Sequence, residues 1–271
     1  MPRLGILAGG GALPRLVAEA CRSRGRPYHV VALDGFAEEW VGHHPHTHVP
    51  LVAISRMISA LREAGCGELV LAGAVRRPAI DDAAIDAEDR VRMSRLLAAL
   101  PHGDDDLLGV VRELFEEEGL SIVGVDTVID LRVPAGILGR VEPGAGEVAD
   151  VAKGRAILSA LAPLDVSQGC VVADGRVLGI ETIQGTDALL EFVRTTRDLA
   201  QGARGGVLVK RAKAGQDRRV DAPTIGPETV ERASRAGLDG IALEAGAVQV
   251  IDLREVVSAA DAAGLFLWGS E

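Results

Sequence analysis

The strongest constraint on the fold lies near the N-terminus, in the stretch LGILAGGGALPRL at residues 4–16. Residues 4–8 have the length and apolar composition of a buried strand, and three glycines follow them. Residues 13–25 then form an amphipathic pattern that ends at Gly25. Short apolar strands alternating with helices are typical of a parallel sheet covered on both faces. The stretch therefore predicts the first strand, loop and helix of such a sheet.

The same alternation continues through the first half of the chain. Further strands are predicted at residues 28–33 and 68–73, and further helices at 53–65, 88–100 and 104–119. The pattern predicts an α/β fold whose N-terminal domain is a Rossmann-like open parallel sheet.

The chain is expected to contain two domains, because its 271 residues exceed the roughly 100–200 residues of a typical domain. The stretch VPAGILGRVEPGAG at 133–146 is rich in proline and glycine and has no clean period. We interpret it as a linker between an N-terminal domain at 1–132 and a C-terminal catalytic domain at 147–271.

The second half predicts a mixed α/β domain. A hairpin is expected at 170–181, with Asp174 and Gly175 at its turn. The remaining predicted elements are helices at 147–162, 186–199, 227–237 and 253–263 and a strand at 205–210.

Composition excludes several classes of protein. The net charge of −10 disfavours nucleic-acid binding, which depends on neutralising phosphates. Three cysteines without CxxC spacing favour a reducing, cytoplasmic compartment. No signal peptide is recognised, and no apolar run reaches the ~18 residues of a membrane-spanning helix. The protein is expected to be cytoplasmic, at most peripheral to a membrane.

The glycine loop has two functional interpretations and a purely structural one. Gly9, Gly11 and Asp34 fit a dinucleotide-binding fingerprint, but Pro14 stands where its third glycine belongs. Proline suits the first turn of a helix, so the loop still presents backbone N–H groups to a phosphate or sugar. A tight strand-to-helix turn without a ligand is the third interpretation.

Two charged clusters are candidate phosphate or metal contacts. Arg76 and Arg77 follow the third predicted strand, at the edge of the sheet where ligands bind in open α/β folds. The acids of PHGDDDLL (101–108) exceed what a helix cap needs, so one of them is free to bind a sugar hydroxyl or a metal.

The segment HHPHTH (43–48) holds four of the six histidines. Pro45 and a loop-like setting favour an exposed stretch over a converging metal site.

The most informative stretch is VLVKRAKAGQDRRVDAPTIG at 207–226. Five basic residues crowd one loop of an acidic protein, and Asp221 follows just before a predicted helix. Cations that hold oxygens and a carboxylate that holds Mg²⁺ or positions water suit phosphoryl chemistry. A solvated loop with an ordinary helix cap is the alternative.

Taken in order, eight segments resemble the LpxI-type UDP-2,3-diacylglucosamine pyrophosphatases of lipid A biosynthesis. The segments are GILAGGGALP, AGAVRRP, GDDDLL, SQGCVV, IQGTDALL, GVLVK, RVDAPTIGPETV and AGLDGIALEAG. The resemblance spans nearly the whole chain, and GGGALP together with VDAPTIG is its most specific part.

The resemblance implies an active site in the cleft between two domains. It also implies Mg²⁺-dependent hydrolysis by water attack on the α-phosphorus, which gives 2,3-diacylglucosamine 1-phosphate (lipid X) and UMP. The glycine loop is then interpreted as a cradle for the sugar-phosphate end of the substrate rather than as a nicotinamide site.

Site residues follow from the same resemblance. The essential aspartate is Asp221, either as a metal ligand or as the base that orients water, and Lys210 neutralises the pyrophosphate. Where a basic residue is expected before GDD, this chain has His102. The implied substrate-binding residues are Gly10, Gly11, Ala12, Val75, Arg76, Gly103, Asp104, Asp105, Gln168, Gly169, Thr186, Asp187 and Thr224.

The expected partners are a glycolipid nucleotide, the inner membrane in brief peripheral contact, and a second copy in a homodimer. Two rival functions stay open: a non-catalytic nucleotide-sugar or lipid-binding protein, and a nicotinamide-dependent oxidoreductase.

Overall fold

The computed structural model describes residues 2–36, 38–75, 85–200, 205–213 and 217–271, apart from the side chains of His102, Asp104 and Ala200. The chain forms two compact units. We call Met1–Asp130 with Asp217–Asp221 the N-terminal unit, and Leu131–Gln216 with Ala222–Glu271 the C-terminal unit. A short segment of the second half thus belongs to the N-terminal unit.

The N-terminal unit is built on a parallel five-stranded sheet of order β3-β2-β1-β4-β5. Its elements are β1 (Arg3–Ala8), α1 (Ala12–Ser23), β2 (Tyr28–Leu33), β3 (His46–Val49), α2 (Ile54–Glu63), β4 (Cys66–Ala72), α3 (Arg90–Ala99), α4 (Asp104–Glu116) and β5 (Ser121–Ile122). The prediction of a Rossmann-like parallel sheet is confirmed.

Apolar side chains of the strands explain why this sheet is covered by helices. Leu33 and Leu69 are fully buried against Leu61 of α2 and Phe115 of α4. Helix α1 contacts β1, β2 and β4 and buries Val17. Each fully buried aliphatic side chain contributes about 1.5–3 kcal/mol, so the continuous apolar strands favour burial between helix layers.

The histidine-rich segment contains a strand that the sequence analysis missed. Residues His46–Val49 form β3, which pairs in parallel with β2 at the edge of the sheet. His44 is buried, and its Nδ1 lies 2.6 Å from the Tyr28 hydroxyl. The expected loop was therefore wrong for residues 46–49 and the expected exposure was wrong for His44, whereas His43, Pro45, His46 and His48 are exposed as expected. An edge strand with solvent-facing histidines lacks the apolar alternation that identifies a strand.

The C-terminal unit contains a mixed six-stranded sheet of order β6-β13-β11-β9-β7-β8 and a small parallel pair, β10 with β12. Its elements are β6 (Gly136–Ile137), α5 (Ala145–Leu161), β7 (Gly169–Ala173), β8 (Arg176–Ile180), α6 (Gly185–Thr196), β9 (Val207–Lys210), β10 (Thr224–Ile225), α7 (Pro227–Arg235), β11 (Gly240–Glu244), β12 (Gln249–Val250), α8 (Leu253–Ala263) and β13 (Phe266–Ser270).

Alternating residues of this sheet face two helix layers. Val207 and Val209 pack with Leu158 of α5, whereas Leu208 packs in the cluster that contains Val230 of α7. Cores on both faces hold β9 in place, and β9 carries Lys210 at its end.

The hairpin of β7 and β8 forms as predicted. Asp174 and Gly175 have positive φ values of 49° and 71°, which suit the tight turn between antiparallel strands. The buried Asp150 side chain accepts both turn N–H groups, at 2.9 Å from Asp174 and 2.7 Å from Gly175. The turn is thus fixed from beneath by α5.

Within the proposed linker 133–146, strand β6 pairs antiparallel with β13, and α5 already begins at Ala145. The linker and the domain limits drawn from the sequence stay predictions. Among the described residues, no helix combines the length and apolarity needed to cross a bilayer.

Candidate active site

The glycine loop after β1 is held by main-chain contacts to the segment after β4. Gly9 N donates to Ala72 O at 2.8 Å, and Gly10 and Ala74 exchange N–H···O bonds of 2.9 and 3.0 Å. A Cβ on Gly9 would lie 2.8 Å from the carbonyl oxygen of Ala74. Gly9 therefore has to be a glycine, because the loop after β1 and the loop after β4 cross here in direct main-chain contact.

Gly11 follows with a φ of 86° and immediately precedes helix α1, which begins at Ala12. Nothing lies within 4 Å of the position that a Cβ of Gly11 would occupy. Val75, which follows Ala74, is 44% exposed. The structure thus brings Gly10, Gly11, Ala12 and Val75 to one edge of the sheet, where a helix N-terminus offers free N–H groups.

Pro14 performs a packing role in this structure. Its Cγ lies 2.8 Å from the position that a Cβ on Gly73 would occupy, so the absence of a side chain at Gly73 allows α1 to approach the loop after β4. In a dinucleotide fingerprint, the third glycine allows the helix to pack closely. In this structure the glycine that allows the close contact is Gly73 in the loop after β4, and the helix contributes Pro14.

The predicted contacts at the start of α4 are only partly described. Gly103 precedes α4 with a φ of 116° and no side-chain cap, so the acids of the GDDD motif lie in the first turn of the helix rather than at its N-cap. Asp105 is a described residue of that turn, whereas the side chains of His102 and Asp104 are not described. Arg76 and Arg77 lie outside the described residues.

The segment 217–221 is bound to the N-terminal unit through Asp217. Its carboxylate accepts from Arg219 at 2.9 and 2.7 Å and from Arg112 of α4 at 3.0 Å. The Arg219 guanidinium, aided by Arg112, holds the pKa of Asp217 well below its usual range. Val220 packs against the apolar core of the unit.

Asp221 ends this segment and is half-buried. Its N–H donates to Asp217 O at 3.1 Å. The main chain of the predicted essential aspartate is therefore fixed by an ion-paired turn of the N-terminal unit, although Asp221 was assigned by sequence to the C-terminal domain.

Lys210, the second predicted catalytic residue, lies in the C-terminal unit and is 4% exposed. Its Nζ lies 3.2 and 3.1 Å from the two carboxylate oxygens of Glu181 and donates to the Thr186 hydroxyl at 2.7 Å. Thr186 in turn donates to Glu181 Oε1 at 2.8 Å. We call these three residues the lysine cluster.

Two further predicted residues adjoin the lysine cluster. Gly169 is paired with Lys210 across β7 and β9, and its carbonyl accepts from Glu181 N at 2.8 Å. Gln168 O accepts from Arg211 N at 2.9 Å. The sequence analysis thus identified Lys210, Thr186, Gly169 and Gln168 and missed Glu181.

The thiol of Cys170 lies next to this cluster in sequence. Burial, together with the Glu181 charge, raises the pKa of Cys170 to about 12.

The other predicted residues of this unit are engaged elsewhere. Asp187 lies 3.4 Å from Arg232 of α7, and the Thr224 hydroxyl donates to Ala222 O at 2.9 Å. Within the described part of the chain, neither side chain is hydrogen-bonded or ion-paired to the lysine cluster.

Besides Lys210, three basic residues of the 207–226 stretch have acidic partners. Arg211 pairs with Glu244 at 3.6 Å, Lys213 pairs with Asp165, and Arg219 pairs with Asp217. The interpretation of this stretch as a site for phosphoryl chemistry stays a prediction.

Among the described residues, no group of three His, Cys, Asp or Glu side chains is arranged to enclose a metal ion. The histidine-rich segment accordingly shows no metal cluster in the part that is described. A single carboxylate still fits Mg²⁺, which keeps several waters and is commonly bound by one or two carboxylates plus substrate phosphates.

These features define a class of protein: a two-unit α/β protein whose first unit carries a glycine loop on a Rossmann-like sheet and whose second buries a lysine–glutamate pair. Comparison with known families narrows the class. Residues 3–131 match the LpxI N-terminal domain, and residues 134–268 match the LpxI C-terminal domain. The chain belongs to the LpxI family, and the resemblance seen in its motifs is confirmed.

One curated relative is similar over its full length. It is the UDP-2,3-diacylglucosamine pyrophosphatase LpxI of Caulobacter vibrioides, 40% identical over 276 residues, which cover 99% of this chain and 98% of the relative.

Among solved structures, glycinamide-RNase-transformylase T from Mycobacterium tuberculosis matches 65% of this chain and 42% of its own, at 16% identity and a TM-score of 0.21. A similarity this low supports no inference about fold or function.

Proposed function

We propose that this chain hydrolyses the pyrophosphate of UDP-2,3-diacylglucosamine and releases UMP and 2,3-diacylglucosamine 1-phosphate. The observation that carries the proposal is the 40% identity, over 99% of the chain, to an enzyme that bears the name of this activity. The glycine loop, the aspartate segment and the lysine cluster supply residue types that phosphoryl chemistry uses.

In the proposed reaction, water attacks the α-phosphorus. Its oxygen bonds to that phosphorus, the bond to the bridging oxygen breaks, and the sugar 1-phosphate leaves with the electron pair. The N–H groups at the start of α1 bind phosphate or sugar oxygens of the substrate.

Asp221 is the residue that would hold Mg²⁺, together with phosphate oxygens of the substrate. The ion would supply positive charge that stabilises the pyrophosphate oxygens as the bond breaks. The turn formed by Asp217 keeps the Asp221 main chain in place, since Asp221 N is bonded to Asp217 O at 3.1 Å.

Lys210 neutralises the negative charge of a phosphate oxygen of the substrate. A fixed ammonium in a site with little water stabilises negative charge more strongly than a mobile, solvated one. Its burial among Glu181 and Thr186 supplies that fixation.

The substrate carries two acyl chains, so we propose brief peripheral contact with the inner membrane from the cytoplasmic side. We also propose a homodimer, which sedimentation would test directly.

The proposed function is tested by mixing the purified chain with UDP-2,3-diacylglucosamine and following products by mass spectrometry. We expect UMP and lipid X in equal amounts with Mg²⁺ and neither product with EDTA. Tight binding of lipid X without release of UMP would instead support a binding protein. A rise in melting temperature with NAD(H) would support the oxidoreductase.

A further inference from the structure

Glu181 is the member of the lysine cluster to which neither the motifs nor the proposed reaction gives a role. Its side chain is 12% exposed, against 4% for Lys210. The carboxylate meets the ammonium with both oxygens at nearly equal distances, 3.2 and 3.1 Å. Glu181 therefore faces Lys210 from within the protein.

The local fold is adapted to this contact. The Glu181 N–H donates to Gly169 O, so the hairpin that begins at β7 places Glu181 beside the strand residue opposite Lys210. A Cβ on Gly169 would lie 2.4 Å from Glu181 Oε2. A side chain at position 169 would thus displace the Glu181 carboxylate from its present position.

Stability alone gives little reason to bury this pair. Removing an ammonium and a carboxylate from water is costly, and replacing a buried ion pair by apolar side chains of similar volume is often neutral or stabilising. The pair does, however, fix the position of the Lys210 ammonium. Two carboxylate oxygens and the Thr186 hydroxyl fix where the ammonium of a long, flexible side chain lies.

We propose that Glu181 is a positioning residue for the reaction assigned above, on which this inference rests. Glu181 and Thr186 surround the Lys210 ammonium with three acceptors, the two carboxylate oxygens and the hydroxyl. These contacts fix the place at which the ammonium charge acts on a phosphate oxygen of the substrate. Glu181 acts through Lys210 and does not touch the substrate.

A double-mutant cycle on kcat tests this role. Glu181→Gln keeps the side-chain shape and is expected to lower kcat by roughly 10–100-fold, the order of loss for a misplaced catalytic group, with a smaller change in KM. Lys210→Met lowers kcat as well. In the Lys210→Met background, Glu181→Gln is expected to change kcat by less than about 2-fold, because its effect passes through Lys210.

The matched control is Glu191→Gln on the exposed face of α6, which changes the net charge equally. Its carboxylate is about half-exposed and pairs with Arg194 of the same helix, and kcat is expected to stay within about 2-fold of wild type. Glu181→Asp keeps the charge on a shorter stem and is expected to restore part of the activity lost in Glu181→Gln.

A second readout is independent of turnover. The chain has three lysines, so the ¹H–¹⁵N spectrum of its lysine ammonium groups is simple, and Lys210→Met identifies the signal of Lys210. A buried, hydrogen-bonded ammonium exchanges slowly with water, so the signal is expected in wild type and is lost in Glu181→Gln. If Glu181→Gln fails to fold, Glu181→Asp takes its place in the cycle, and its loss in kcat is likewise expected to shrink below about 2-fold in the Lys210→Met background.

Each result decides the matter. Losses in kcat that multiply independently in the double variant, or a Glu181→Gln enzyme with normal kcat, overturn the positioning role while hydrolysis stands. An inactive wild type overturns the proposed function and with it the role of Glu181. The ammonium signal, recorded without substrate, still reports whether the cluster forms.

Discussion

Replacement of Gly9 by alanine is expected to destabilise the N-terminal unit, although the change adds only one methyl group. The new Cβ would lie 2.8 Å from Ala74 O and 3.0 Å from Gly73 O. Both neighbours are main-chain atoms, so no side-chain rotation relieves the contact, and the two loops must separate.

The magnitude follows from the hydrogen bonds at the crossing. Separation weakens the bonds from Gly9 N to Ala72 O and between Gly10 and Ala74, of 2.8, 2.9 and 3.0 Å. At about 0.5–1.5 kcal/mol for each bond, the expected loss is roughly 2–4 kcal/mol. A chain of this size shifts its melting temperature by roughly 2–4 °C per kcal/mol, so a decrease of about 5–15 °C is expected.

The matched control is Gly10→Ala, one residue further along. Its Cβ would lie 3.6 Å from Ala74 O, which is ordinary contact, and Gly10 is not among the glycines with positive φ. We expect calorimetry to show a melting temperature within a few degrees of wild type, as expected for a change below about 1 kcal/mol. Equal melting temperatures for the two variants would refute the loop-crossing explanation of Gly9.

Two further predictions concern groups with shifted pKa values. The pKa of Asp217 is depressed by Arg219 and Arg112, so its carboxylate stabilises the fold above the unfolded pKa of about 3.9, and this contribution is lost as pH falls through the folded pKa. Asp217→Asn should therefore lower the melting temperature at pH 7, and its difference from wild type should shrink below about pH 4; a constant difference would contradict the ion-pair account. Burial raises the pKa of Cys170 to about 12, so iodoacetamide at pH 8 should leave Cys170 unmodified until denaturant is added, as peptide mass spectrometry would show. Rapid labelling in the folded protein would contradict that burial.

Strands with apolar residues on both faces were predictable from sequence, as β2 at Tyr28–Leu33 and the core of β1 show. Strand β3 was not, because only Val49 of its four residues is buried. An element stabilised by pairing at a sheet edge leaves little hydrophobic pattern.

The residues of the candidate site also fall into those that the sequence identified and those that it did not. Lys210 and Gly169 were found through motifs, whereas Glu181 was not, because a register shift between Val171 and Val172 moves the pairing that the Asp174–Gly175 turn alone would give and brings Glu181 beside Gly169.

The placement of Asp221 in the N-terminal unit was out of reach. It depends on contacts of Asp217 with Arg112 and of Arg219 with Ile122, about a hundred residues away in sequence. Local pattern carries no information on such pairings. The expectation that the active site lies between two domains stays a prediction.

The central claim is that water attacks the α-phosphorus with the help of Asp221. The most direct test is hydrolysis of UDP-2,3-diacylglucosamine in ¹⁸O-water, comparing wild type with Asp221→Asn after both are shown to be folded. The account predicts one ¹⁸O in UMP and none in lipid X, and a loss of turnover in Asp221→Asn of at least ~10²-fold. Label in lipid X, or normal turnover by folded Asp221→Asn, would contradict it.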